Sequence, residues 1–542
     1  MQGLMMNQQL TITTIMKHAQ CNYPNVEIVS VTADNPQHRT TYGQAFARAG
    51  QLANALAKLG VQEHERVATL AWNDYRHFET YYAVSCSGAV LHTINPRLFP
   101  EQIAYIVNHA EDQWLLVDAT FWPLIEKIAG ELKTLKGFIV LTDEVHMPET
   151  SIDNVHCYEA LIAGESSEYD WPELDEQTAA ALCYTSGTTG NPKGVLYSHR
   201  STVLHAIAES LPDAMGLSVK DAILPVVPMF HVNAWGIPYA APMVGAKLVF
   251  PGPKMGDGET LQALIEAENV TLAAGVPTVW LGLLNYLRDS GKRVDCLQRT
   301  VVGGSACPVS IMKAFKDDYG VDTLHAWGMT EMSPIGTMGV LLPQHEALDE
   351  DAYWALKAKQ GRAVYGVEMK IVDDDNNELP RDGKAFGALK VRGPWICSEY
   401  YKLPGSDAHS DDGWFGTGDV STIDADGYMQ ITDRTKDVIK SGGEWISSIE
   451  LENIAMGHPD VAEAAVIAVA HPKWDERPLL VVVKKPGAEP EKQALLDFFD
   501  GKIASWWKPN DVAFVDEIPH TATGKIQKLT LRQQFQGYQL PE

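Results

Sequence analysis

The sequence predicts an α/β protein: a large N-terminal domain of βαβ-type sheets with a β-rich subdomain, then a small α+β domain at the C-terminal end. Three observations predict it. Over the first 150 residues, helix-period and strand-like apolar runs alternate, as in parallel βαβ units. Residues 366–400 lose the helical period and read as a β-rich hairpin region. After Asp433 the chain turns charged and glycine-rich, and a further unit with its own helix and strand signals follows. That pattern fits a linker with a small mobile domain behind it, so the expected domains are 1–433 and 434–542.

Each element follows from local pattern. Phe46, Ala49, Ala53, Leu56 and Leu59 recur at helical spacing and stop at Gly60. Val67–Ala71 reads as a strand, Phe78–Val84 as a helix and Ala89–Ile94 as a strand. Pro100 opens the next helix, because proline suits a first helical position. Leu115–Val117 and Phe138–Leu141 read as buried strands. Val367–Val372 and Ala388–Val391 lie either side of the polar turn sequence at 373–377. In the last domain, Ile449–Ala455 and Ala494–Phe499 read as helices, and Ala464–Val469 and Leu479–Val483 as strands.

The chain has 542 residues, 45% hydrophobic and 21% charged, which suits a soluble globular enzyme with a large core. A net charge of −27 disfavours nonspecific nucleic-acid binding and docking on anionic lipid. Seven scattered cysteines with no Cys-x-x-Cys pair suit reduced thiols in the cytoplasm. Met1–Met16 lacks a basic segment followed by a long apolar run, so no signal peptide is expected. No run of 18 or more apolar residues predicts a membrane span.

Residues 184–194 read Tyr-Thr-Ser-Gly-Thr-Thr-Gly-Asn-Pro-Lys-Gly. Gly187 and Gly190 let the backbone approach a ligand and present its N–H groups. Thr185, Ser186, Thr188 and Thr189 add short donors, and Lys193 adds a mobile positive charge. Together they suit a polyphosphate. The pattern is not a Walker loop, because no Gly-x-x-x-x-Gly-Lys-Ser/Thr occurs. Alone, the stretch reads equally as a linker.

Four other segments decide the matter: Trp327-Gly-Met-Thr-Glu331, Gly413-Trp-Phe-Gly-Thr-Gly-Asp419, Asp433 to Glu444, and Thr523-Gly-Lys525. With the loop they resemble, in order and over nearly the whole chain, the adenylate-forming superfamily of acyl-CoA synthetases, luciferases and peptide-synthetase adenylation domains. The resemblance implies an adenylating domain over 1–433 holding ATP and the acyl group. It also implies a rotating lid over 434–542 with its hinge near Lys436. It implies ATP, Mg²⁺ and CoA as the cofactor set, and a homodimer as assembly.

Roles follow from the resemblance residue by residue. Thr185, Ser186, Gly187, Thr188, Thr189, Gly190 and Lys193 would hold the β- and γ-phosphates. Glu331 would bind Mg²⁺, a hard cation that wants carboxylate oxygen, with Thr185 contributing, and Thr330 would touch the α-phosphate. Gly303, Gly304, Ser305, Ala326, Trp327 and Gly328 would surround adenine, with Trp327 standing where the family more often has tyrosine. Asp419 would accept the ribose hydroxyls, and Arg434 would reach the ribose. Lys436 and Lys440 complete the nucleotide-side set. Lys525 would bridge the carboxylate and α-phosphate charges in adenylation. Lys440, Gly442, Gly443, Glu444 and Trp445 would face the site after lid rotation and line the thiol's tunnel.

For the acyl pocket, Phe230-His-Val-Asn-Ala-Trp-Gly236 is similar to the long-chain fatty acyl-CoA synthetases. This makes Trp235 a gate and puts His231 near the carboxylate, with Val232, Val276, Met332 and Pro334 completing the wall. None of these offers a cation to a second carboxylate, which favours linear apolar acids. Ala71-Trp-Asn73, His92 to Pro100 and Val107 to Glu111 resemble ligases for medium-chain fatty acids and for 3-methylmercaptopropionate. The two substrates stay open at this stage. So does transfer of the acyl group to a carrier protein in place of CoA.

Overall fold

The structure is a computed structural model and describes residues 1, 3–185, 191–410, 412–442, 444–520 and 526–541. The chain forms two compact units. One comprises Met1–Thr185, Pro192–Glu368 and Arg392–Ser406, and the other is built mainly from Met369–Val391 and Asp407–Glu542. Residues 369–391 and 407–433 fall in this second unit. Phe386–Arg392, Phe415–Ile423 and Tyr428–Arg434 form an antiparallel ladder among themselves. At its end, buried Asp433 accepts hydrogen bonds from the Ser448 backbone N–H and hydroxyl.

In the first unit, a seven-stranded sheet among the described residues carries the expected βαβ pattern. Its order is Val155–Cys157, Gly137–Val140, Asp112–Val117, Arg66–Leu70, Val90–Thr93, Ala179–Tyr184 and Gly194–Ser198. Neighbours run parallel until the last pair, Ala179–Tyr184 and Gly194–Ser198, which is an antiparallel hairpin. The phosphate-loop sequence is the connection of that hairpin. Parallel strands are buried on both faces, which is why these segments read as continuous apolar runs.

A second sheet of the same unit runs parallel through Lys247–Phe250, Ala222–Pro225, Leu272–Gly275, Arg299–Val302 and Asp322–Gly328. Ile335–Met338 then pairs antiparallel with Asp322–Gly328. Helices Gly258–Glu268, Pro277–Ser290 and Val309–Tyr319 cover one face around buried Trp280 and Phe315.

The second unit has its own sheet. Val461–His471 and Asp475–Lys484 pair antiparallel, and Asp511–Phe514 adds a parallel strand. Alternate residues serve two cores: Ala464, Val466, Leu480 and Val482 pack on one face, and Ala465, Ile467, Leu479 and Val481 on the other.

Most expected elements exist with shifted ends. The Phe46–Leu59 period belongs to a helix Tyr42–Lys58, extended backwards by a capping box at Thr41. The Phe78–Val84 pattern is the middle of a helix Tyr75–Cys86, all of it buried. Proline 100 does open the helix Pro100–Ala110.

The helix Tyr75–Cys86 matters most for the site. Asp74 caps it by accepting from the His77 N–H at 2.9 Å. The preceding Asn73 donates to the Pro225 and Val227 carbonyls and accepts from the Met229 N–H at 2.6 Å. Tyr81 and Tyr82 donate to the Met229 and Pro238 carbonyls. This helix and Asn73 before it therefore tie down the stretch 225–238 at Pro225, Val227, Met229 and Pro238.

Burial, reinforced by the negative charge of Asp118, pushes the Asp74 carboxyl up to about 7. An acid whose pKa is raised on folding contributes stability that is complete below its unfolded value, near 4, and is lost as pH rises through 7. Asparagine caps as well and carries no charge. Asp74→Asn is therefore expected to raise the thermal unfolding midpoint relative to wild type at pH 8, by a gain of up to about 4 kcal/mol. The difference should shrink steadily towards pH 4, and a pH-independent difference would contradict the assignment.

Candidate functional site

Thr185 and Lys193 close the base of the loop hairpin. The Thr185 N–H donates to the Lys193 carbonyl at 2.9 Å, and the Lys193 N–H donates to the Thr185 hydroxyl at 3.2 Å. Ser186, Gly187, Thr188, Thr189 and Gly190 lie outside the described residues. The exposed Lys193 ammonium sits 4.6 Å from the centre of the Tyr400 ring. The Tyr400 hydroxyl in turn donates to Glu331 Oε1 at 2.8 Å. Burial, followed by the Glu331 charge, holds the Tyr400 phenol well above its ordinary range, so it stays a donor.

Thr330 and Glu331 are buried and fixed through their backbone. The Tyr197 hydroxyl donates to the Thr330 carbonyl at 2.6 Å, and the Cys397 N–H donates to the Glu331 carbonyl at 2.8 Å. Four residues expected from sequence, Thr185, Lys193, Thr330 and Glu331, thus share one cluster. Tyr400 and Tyr197 belong to it and were missed, because neither stands within a recognisable motif.

Gly303 and Gly304 end the strand Arg299–Val302. A Cβ on Gly303 would lie 3.2 Å from the Trp235 ring and 3.3 Å from the Ala326 carbonyl. A Cβ on Gly304, whose φ is +81°, would lie 3.2 Å from Val276 Cγ1. The glycines expected near adenine therefore touch the residues expected at the acyl wall. Ser305 follows, exposed. Trp327 lies buried against Gly336, where a Cβ would come within 2.6 Å of the indole and 2.8 Å of Met332. Gly328 faces the Pro334 carbonyl, where any side chain would collide. These contacts explain the Gly-rich spacing of this region by close approach.

The wall segment holds an unforeseen conformation. Val232, Asn233, Ala234 and Trp235 all have φ between 46° and 58°, and Gly236 follows at +86°. Left-handed geometry costs an L-residue about 1–2 kcal/mol, so tertiary contacts must impose it. Buried Asn233 supplies them, its Oδ1 accepting from Thr93 at 3.1 Å and from Tyr81 at 3.4 Å. His231 is exposed at the start of the turn, and Trp235 is buried against Gly303.

In the second unit, Asp419 and Arg434 pair across adjacent strands, with Arg434 Nη1 2.9 Å from Asp419 Oδ1. The Lys436 carbonyl accepts from Arg532 at 3.2 Å, just beyond that strand. Lys440 pairs in register with Trp445, and its ammonium lies 5.0 Å from that indole and 3.4 Å from Asp374. Gly442, at φ +61°, donates to the Trp474 carbonyl and lies under the Trp474 ring. Trp474 is half-exposed and was not expected at this loop. Gly443 and Lys525 lie outside the described residues, and Glu444 is described only as part of the strand Glu444–Ile446.

Within the first unit, Lys193 and Glu331 thus meet on one residue, Tyr400. The family model for AMP-binding enzymes matches residues 17–401, and that for their C-terminal domain matches 450–525. The chain belongs to the AMP-binding enzyme family. Within it the chain falls among the AMP-forming CoA ligases. It is 54% identical to 3-methylmercaptopropionyl-CoA ligase of Ruegeria pomeroyi, with 99% of each chain covered. It is 51% identical to medium-chain-fatty-acid–CoA ligase of Ectopseudomonas oleovorans, over 99% of this chain and 98% of the relative. The crystal structure of anthranilate CoA ligase AuaEII with anthranoyl-AMP matches at TM-score 0.83 and 26% identity, covering 98% of each chain.

The left-handed run generates its own test. Gly236→Ala would force alanine to φ +86° and put a Cβ 2.7 Å from the His205 ring and 2.9 Å from Glu209 Oε1. A loss of about 2 kcal/mol or more is expected, read as a lowered thermal midpoint. An unchanged midpoint would show that the turn relaxes without cost.

Proposed function

We propose that this ligase activates a linear apolar carboxylate, 3-methylmercaptopropionate first, by way of an acyl adenylate that CoA then takes. The observation that carries the reading is the acyl wall. Trp235, Val232, Val276, Met332 and Pro334 are apolar and offer no cation to a second carboxylate, and a Cβ on Gly303 would lie 3.2 Å from the Trp235 ring. Identity of 54% and 53% to ligases named for 3-methylmercaptopropionate supports this substrate. Identity of 51% to a medium-chain-fatty-acid ligase supports a fatty acid of similar length as the second reading.

In the first half-reaction, one carboxylate oxygen attacks the α-phosphorus of ATP. The P–O bond to pyrophosphate breaks, giving acyl-AMP. Oxide is a poor leaving group from a carboxylate, whereas AMP is a good one. The residues around Lys193 would grip the β- and γ-phosphates, where donors aimed at developing charge lower the barrier most. Mg²⁺, when bound, supplies charge neutralisation on the phosphates. Glu331 fits it, being a carboxylate held by backbone and phenol, and Mg²⁺ commonly takes one or two carboxylates with substrate phosphates. Thr330 would meet the α-phosphate, and Thr185 would join the metal's surroundings. Trp327 would stack its indole on adenine, beside Gly303, Gly304, Ala326 and Gly328. Asp419 and Arg434 would take the ribose. His231 would meet the incoming carboxylate, and Lys525 would bridge the two reacting charges.

In the second half-reaction, the CoA thiol sulfur attacks the acyl carbon, loses its proton and expels AMP. Gly442, Gly443, Glu444 and Trp445 would guide the thiol, with Lys440 exchanging places with Lys525 as the lid turns about Lys436. Seven cysteines without a disulfide among them support a reducing cytoplasmic setting. Among the described residues no helix is long and apolar enough to cross a membrane.

Two measurements follow. With ATP, Mg²⁺ and CoA, AMP release across acetate, linear acids of increasing length, 3-methylmercaptopropionate and benzoate should peak on 3-methylmercaptopropionate. A peak on hexanoate or octanoate establishes the fatty-acid reading, and no AMP without a carrier protein overturns CoA as acceptor. Separately, Lys525→Ala should abolish pyrophosphate release yet leave thioester formation from supplied acyl-AMP within a few-fold of wild type. Equal loss of both half-reactions would remove Lys525 from its assigned step.

A further inference from the structure

Two sequence segments that resemble the substrate-specific ligases, His92 to Pro100 and Val107 to Glu111, meet at the foot of the phosphate-loop hairpin. Tyr184 is the last residue of the strand entering the loop. Its hydroxyl lies 2.6 Å from His109 Nδ1. His109 sits near the end of the helix Pro100–Ala110, stacked on Tyr105 and edge-on to Tyr401. The other side of the Tyr184 ring approaches His92, with ring centres 5.1 Å apart. His92 is itself fixed, since Nδ1 lies 2.7 Å from Asp112 Oδ2 and both side chains are fully buried. Lys402 closes the foot by donating to the His109 carbonyl and pairing with Glu111 at 2.9 Å.

The contact passes onward to the chemistry. Tyr184 pairs in register with Gly194, the residue after Lys193. A Cβ on Gly194 would lie 3.2 Å from the Tyr184 ring and 3.1 Å from Tyr401 Cβ, so the two tyrosines clasp this glycine. The Tyr401 N–H donates to the Gly194 carbonyl at 2.8 Å. The neighbouring Tyr400 carries Lys193 on its ring and Glu331 on its hydroxyl.

We propose that Tyr184 and His109 are positioning residues for the nucleotide: they fix the described ends of the loop hairpin and thereby aim Lys193 at the phosphates. His92 and Asp112 back the Tyr184 ring and keep it from turning away. The proposal rests on the adenylating activity argued above, and it assigns these segments to ATP rather than to the acid. Burial, then the nearby Lys402 charge, holds the His109 imidazolium down, which keeps the ring neutral and able to share one hydrogen with the phenol.

The test compares wild type with Tyr184→Phe, His109→Leu, their double variant and His109→Asn, whose amide can stand in for Nδ1. The KM for ATP and the rate of pyrophosphate release are measured with saturating acid, and thioester formation is measured separately from supplied acyl-AMP and CoA. Each single apolar variant should raise the KM for ATP about tenfold, the usual consequence of losing one well-placed hydrogen bond. The double variant should match the singles within twofold, because both remove one contact. His109→Asn should recover most of the loss, and the thioester step should be unchanged in every variant. Additive effects, an unchanged KM, or a parallel fall in both half-reactions would overturn the proposal. A wild-type enzyme that releases no pyrophosphate overturns the activity it rests on, and this inference with it.

Discussion

On the proposed function, a lysine that is to meet phosphate and a glutamate that is to hold a cation must not satisfy each other. At short range in a partly desolvated site, their mutual attraction would compete with both ligands. Tyr400 resolves this by occupying both, its ring under the Lys193 ammonium and its hydroxyl on Glu331 Oε1. Only a phenol kept protonated can do so, and burial together with the Glu331 charge keeps it protonated. The position of Tyr400 depends on backbone stitches to each partner. Cys397 holds the Glu331 carbonyl, and Tyr401 holds Gly194. The segment 397–401 is therefore the piece that sets the spacing of the charged groups, though it carries no motif of its own.

The parts of this fold that were legible are those whose cause is local. Period and capping give Tyr42–Lys58, proline gives the start of Pro100–Ala110, and two-sided burial gives the parallel strands their unbroken apolar runs. Ends drifted where the deciding residue was polar, as with the Asp74 cap that starts a helix three residues before its first aromatic period. The pairing of Phe386–Arg392 with Phe415–Ile423 was not legible, because it joins segments some thirty residues apart across an irregular stretch. The site divides in the same way. Thr185, Lys193, Thr330 and Glu331 stand in motifs and could be named, whereas Tyr400 contacts Glu331 across 69 residues and could not.

The left-handed turn shows most clearly what a motif hides. His-Val-Asn-Ala-Trp contains nothing that asks for four successive positive φ angles, and three of the four residues resist them. Their cost is met elsewhere: by Asn73 and Tyr81 suspending the stretch, and by Thr93 anchoring Asn233. The segment that carries Trp235 is held at Met229 and Asn233 by residues 156 and 140 positions away in sequence.

This bears on why the sequence left two acids open. An apolar pocket separates substrates one methylene apart by about 1–3 kcal/mol. Each left-handed residue stores about 1–2 kcal/mol that its anchors must hold. On the proposed reading, a modest change in those anchors would shift the turn that carries Trp235, and with it the acyl wall. Ligases sharing His231, Val232 and Trp235 can thus prefer acids of different length without any substitution in the wall. On the proposed reading, the residues that tune substrate length lie one layer out, at Asn73, Tyr81 and Thr93, behind an apolar wall that suits both acids.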